Sequence, residues 1–165
     1  MGRALHIAVV LGVLGMAWSA AAQVPGACRT PREAARTFLD NLQPDNDRPD
    51  LAIACFERPD GMGNAGLIER ARELKAVLDA RGLFVVMEDV PDAADYKDEN
   101  DRLRAPLVAS FPAVYFQRIA GEWQFPVSVI HRVPQLYAET FSSWGEALIN
   151  RLPPIFRSSF ACTKK

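Results

Sequence analysis

An uncharged apolar run from Ile7 to Trp18, behind the single charge of Arg3 and ended by Ser19-Ala20-Ala21-Ala22-Gln23, decides first how much of this chain can belong to a fold. Ala20-x-Ala22 satisfies the small-residue rule for signal peptidase, so a cleaved leader is predicted over 1–22 and a single soluble domain over 23–165. The run is shorter than the roughly 20 apolar residues that cross a bilayer. Counting on to Val24 reaches that length, which makes an uncleaved amino-terminal anchor the competing reading. Cys28 does not suit lipidation, because Pro25 stands where a lipobox needs an aliphatic residue. No transmembrane span is expected in the mature chain, and the expected location is periplasmic or secreted.

Export places Cys28, Cys55 and Cys162 in an oxidising compartment, where an odd count permits one intramolecular bridge and leaves one thiol. Local sequence narrows the choice. Thr30-Pro31-Arg32-Glu33 reads as a helix start with a capping box, and Ala34, Ala35, Phe38, Leu39 and Leu42 follow at helical spacing. The helix stops before Pro44, Asp45 to Arg48 is a polar turn, and a second helix is expected over 51–56. So short a turn makes the two helices antiparallel, bringing Cys28 towards Cys55. A Cys28–Cys55 disulfide is the expected pairing. The alternative joins Cys28 to Cys162 and leaves Cys55 as a small buried hydrophobe.

Further on, Asn64 is expected to cap a long helix that buries Leu67, Ala71, Leu74 and Leu78 and ends at Gly82. Leu83 to Met87 has strand composition. Residues 88–104 form a charged insert with seven acids and three bases, read as a solvated loop. Its Asp95, Asp98, Glu99 and Asp101 crowd together, but their spacing matches no EF-hand and the turn glycine is missing. Val114 to Ile119 and Trp123 to Val127 flank Ala120-Gly121-Glu122, the clearest hairpin. Ser128 then caps a short helix that restarts at Pro134, with Tyr137 and Phe141 on its apolar face, and Trp144, Leu148, Ile149 and Leu152 make one more, ended by Pro153-Pro154. The fold class expected is α+β: several N-terminal helices, a small antiparallel sheet and C-terminal helices.

The composition excludes several chemistries. With 19 basic and 20 acidic residues the chain lacks the concentrated basic face that nucleic acid requires. His131 is the single histidine after the leader, too few for a histidine zinc site, and no Gly-x-Ser-x-Gly elbow accompanies it. Gly61-Met62-Gly63-Asn64-Ala65-Gly66 has G-x-G-x-x-G spacing but follows no strand, so it reads as a lead-in to the long helix. No catalytic, cofactor-binding or metal-binding residues are assigned, and no cofactor is expected.

Cys28-Arg29-Thr30-Pro31-Arg32-Glu33-Ala34-Ala35-Arg36-Thr37-Phe38-Leu39 and Ala52-Ile53-Ala54-Cys55-Phe56 resemble the first helices of the extramembrane N-terminal domain of small-conductance mechanosensitive channel (MscS-type) proteins. Ala71 to Asp79 is similar to that domain's long helix. Gly121-Glu122-Trp123-Gln124-Phe125 and Val129-Ile130-His131-Arg132-Val133-Pro134-Gln135-Leu136-Tyr137 are similar to its hairpin and its ending. The channel's pore helices have no counterpart before Lys165. The resemblance implies a non-enzymatic periplasmic domain that binds or regulates a membrane protein such as a mechanosensitive channel. A small-molecule-binding or hydrolytic domain with a cone-shaped α+β fold is the alternative.

Overall fold

The computed structural model describes residues 26–151, with side chains described as far as 142. The leader over 1–22, Leu152, Pro153-Pro154 and Cys162 lie outside the described residues, and the side chains of Trp144, Leu148 and Ile149 lie outside them too.

Thr30 caps α1 (Pro31–Asp40), its Oγ1 accepting the Glu33 N–H at 3.1 Å. Half of the capping box closes, because the Glu33 carboxylate turns to Arg29 Nη2 at 2.6 Å. Ala34, Ala35, Phe38 and Leu39 are buried along α1. Leu42 has left the helix for β1 (Leu42–Gln43), which pairs antiparallel with β2 (Asn46–Asp47), so the expected polar turn is a miniature hairpin. Next, α2 (Pro49–Ala52) is shorter than expected. Phe56 falls outside it and bridges Phe125, with the Phe125 N–H on Cys55 O and the Glu57 N–H on Phe125 O, both at 2.9 Å. Those bonds, and the Phe56 ring at 4.8 Å from Phe125, outweigh the helical continuation. Cys28 and Cys55 form the disulfide, with Cα atoms 5.7 Å apart.

The long helix is α3 (Asn64–Ala80), burying Leu67, Ala71, Leu74, Val77 and Leu78. Its N-cap is Gly63, not Asn64, whose Oδ1 is taken by Arg58 Nη2 at 2.5 Å. At the other end Gly82, at φ +65°, closes a Schellman motif: its N–H reaches Asp79 O (3.0 Å) and the Leu83 N–H reaches Leu78 O (2.9 Å). Leu83 to Met87 is not a strand. Its side chains alternate as a strand's do, with Leu83, Val85 and Met87 against the core and Phe84 and Val86 outward. It pairs with no strand, and among the described residues no main-chain hydrogen bond ties the Phe84, Val85 or Val86 N–H to another segment.

The sheet consists of β3 (Arg104–Pro106), β4 (Tyr115–Ile119) and β5 (Glu122–Gln124), antiparallel in that order. A two-residue turn with Ala120 at φ +50° and Gly121 at φ +91° joins β4 to β5, the backbone of a type I′ hairpin. The outer edge of β5 is closed by the cysteines, since the Trp123 N–H donates to Cys28 O (2.7 Å) and the Phe125 N–H to Cys55 O. Trp123 Nε1 donates to Ala94 O at 2.9 Å, so the charged insert is tied to the core.

A single helix, α4 (Val127–Arg151), replaces the separate helical pieces expected, with Pro134 inside it. Pro134 faces solvent, so the one intrahelical bond it removes does not disturb the buried face of Val129, Ile130, Val133 and Leu136. Ser128 is not the cap; Glu57 Oε2 accepts the Val127 N–H at 2.7 Å from across the fold. Tyr137 is 36 % exposed and packs its ring on Phe141 at 4.5 Å instead of entering the core. The core centres on Phe125, whose ring lies 5.3 Å from Phe38, 4.8 Å from Phe56 and 4.3 Å from Phe116.

Candidate functional site

The residues that sequence reasoning weighed for chemistry do not converge. Cys28 and Cys55 are consumed in the disulfide. His131 is exposed on α4. The Gly61–Gly66 stretch leads into α3 and is organised by Arg58, which donates to Met62 O at 3.0 Å and to Asn64. Among the described residues no group of three or more His, Cys, Asp or Glu could hold a metal ion.

Two acids of the insert, Asp98 and Asp101, are bonded within it. Asp98 Oδ1 accepts the Asn100 and Arg102 N–H groups, each at 2.9 Å, while Oδ2 accepts Arg102 Nε at 2.9 Å. The main-chain donor of Arg102 is the largest cause that holds the Asp98 carboxyl below the ordinary carboxylate range. Lys97 pairs with Asp101 at 2.7 Å. Nearer α1, Asp92 accepts from Thr30 Oγ1 (2.9 Å) and Arg32 Nη1 (3.1 Å), and Arg32 Nε donates to Val90 O (3.0 Å). The insert is thus a solvated loop, as expected, with most of its side chains exposed, and it is braced internally and docked on the start of α1.

What the fold does assemble is a continuous grooved face around β3. Register puts Pro106 opposite Tyr115 and Arg104 opposite Gln117, with all four side chains on the sheet face away from buried Ala105 and Phe116. Three concavities share the residues of this face. One of about 410 Å³ is lined by Phe84, Val86, Pro91, Tyr96, Leu107 and Val108 among others. The next, about 340 Å³, runs past Tyr96, Arg102, Arg104 and Pro112. The third, about 570 Å³, lies between β4 and α4 and is lined by Arg104, Pro112, Ala113, Tyr115, Ser128, Val129 and Arg132.

Comparison with known protein families, characterised proteins and solved structures finds no match.

The apolar end of the face carries the most exposed of the large hydrophobic side chains among the described residues. Phe84 is 85 % exposed and Val86 51 %. Among the described residues no main-chain hydrogen bond ties the N–H of Phe84, Val85 or Val86 to another segment. The edge of β3 differs: the Arg104 N–H is engaged by Arg102 O at 2.8 Å, Ala105 faces β4 and Pro106 has no N–H. An extended partner therefore finds main-chain donors at Phe84–Val86 and none on β3. Sequence reasoning missed this, although the alternation of Leu83 to Met87 was its signal.

Proposed function

We propose that this chain is an exported, non-catalytic domain that binds a membrane protein, with the Leu83–Met87 segment as its contact. The exposure of Phe84 carries the proposal. An aromatic ring left in water beside an apolar groove forgoes about 2 kcal/mol of burial, a cost that a partner recovers by covering it. Three further observations support an extracytoplasmic setting and a membrane partner. The Cys28–Cys55 disulfide suits an oxidising compartment. No helix among the described residues is long and apolar enough to cross a membrane. The segments from Cys28 to Phe56 and from Gly121 to Tyr137 resemble the extramembrane domain of MscS-type channels, which makes such a channel the first candidate partner.

A photo-crosslinking residue at position 84, irradiated in intact envelopes, tests the reading. The expected product is a discrete adduct with an integral membrane protein, lost when Val86→Asp is added and the melting temperature is unchanged. Adducts with soluble proteins alone, or an adduct indifferent to Val86→Asp, would refute it.

A further inference from the structure

We propose that the groove between β4 and the first turn of α4 binds a phosphate group, held by Arg104 and Arg132. Six other arginines, at positions 29, 32, 70, 72, 81 and 102, each face a carboxylate within 4.0 Å. Among the described residues Arg104 and Arg132 face none within that distance, as do Arg36, Arg48, Arg58 and Arg118, but Arg104 and Arg132 line the same cavity with no Asp or Glu in its lining, while Asp98 and Glu99 lie with Arg104 in the adjoining one. In a chain of net charge −1, two guanidinium groups without an ion pair at one concavity raise the positive potential there.

The groove is also organised before any ligand arrives. Arg104 lies over the Tyr115 ring, 3.3 Å from its centroid, and Nη2 donates to Pro112 O at 3.3 Å. Held on both sides, its guanidinium has less rotamer freedom to lose on binding. The Tyr115 hydroxyl and Ser128 Oγ are 2.9 Å apart; one donates to the other, which leaves one hydroxyl proton for a ligand oxygen. Ser128 and Arg132 are four residues apart on α4 and so share a face. The helix terminus is not the attractant, because Glu57 already occupies the Val127 N–H.

Two forked cations and a hydroxyl donor suit a tetrahedral group with several terminal oxygens better than a carboxylate with two. A soluble phosphoester and a lipid headgroup both present that group. This site is separate from the Phe84 surface, and its test does not depend on that contact.

The test is an NMR titration of the purified chain, reading the Arg104 and Arg132 Nε–H signals and the Ser128 and Val129 amides at constant ionic strength. The probes are inorganic phosphate, then glycerol 3-phosphate, then phosphatidylglycerol vesicles against phosphatidylcholine vesicles. Saturable shifts are expected, weakened about tenfold or more in Arg132→Gln. Arg118→Gln, on the same hairpin but outside the groove, leaves them unchanged. Binding of the soluble phosphates without vesicle retention assigns a soluble ligand. Retention on phosphatidylglycerol that Arg132→Gln abolishes assigns a headgroup. Shifts that chloride reproduces, or saturable binding that Arg132→Gln leaves intact, overturn the proposal. Arg132 is the decisive position, because its exposed side chain can be changed without loss of packing.

Discussion

Reducing the Cys28–Cys55 disulfide should cost this domain about 3.5 kcal/mol. The bridge closes a loop with a sequence separation of 27, and a crosslink of that span removes about 12 cal/mol/K from the unfolded chain, or about 3.5 kcal/mol at 25 °C. For a domain of this size that corresponds to a fall in Tm of about 12 °C. Reduction keeps both sulfur atoms in place, so the loss reports chain entropy and not a cavity. Cys28→Ala with Cys55→Ala adds a packing loss, since Cys55 is fully buried and Cys28 is 7 % exposed. The assay is urea unfolding of a Cys162→Ser background, oxidised and then reduced. Two results are expected together: a lower midpoint and a steeper m-value, because the unfolded chain without its crosslink exposes more surface.

The location of the bridge sharpens the expectation. Both cysteine carbonyls accept hydrogen bonds from the β5 side of the sheet, so the amides of Trp123 and Phe125 should lose exchange protection first on reduction. A loss below about 1 kcal/mol with an unchanged m-value would refute the loop-closure reasoning. It would mean that the aromatic cluster around Phe125 holds these segments together without the covalent link.

Ala120→Gly should stabilise the protein by about 0.5–1 kcal/mol, because Ala120 sits at φ +50°, where a Cβ is strained; a fall in Tm would count against the hairpin backbone described. Glu57→Ala should cost about 1–2 kcal/mol by leaving the Val127 N–H without its acceptor, and Glu57→Gln should cost less than half as much, measured by chemical denaturation. The Asp98 carboxyl titrates below its unfolded value, so its support of the loop is complete above about pH 4 and is lost as pH falls further through the folded value. Exchange protection of the Asn100 and Arg102 amides should follow that course, and Asp98→Ala should abolish it at every pH.

Much of the architecture was legible because it rests on short-range physics. The Thr30-Pro31 start of α1, the buried stripe of α3, the Gly82 stop and the β4–β5 hairpin each depend on residues within a few positions of one another. The antiparallel arrangement of two neighbouring segments was enough to select Cys28 and Cys55 for the bridge. Several of the errors lie where distant segments compete. Phe56 reads as helical but is claimed by Phe125, and Leu83–Met87 reads as a strand but pairs with none among the described residues. Ser128 reads as a cap, a role that Glu57 takes from 70 positions away.

Local sequence therefore determined the α+β class, the start of α1, the stop of α3 and the cysteine pair, since backbone preference and side-chain periodicity act over a few residues. Tertiary structure alone decided the surfaces. Whether Phe84 is buried or bare, and whether Arg104 and Arg132 have counter-ions, depends on which remote groups arrive beside them. No spacing along the chain records that, because burial and electrostatic pairing are properties of neighbours in space.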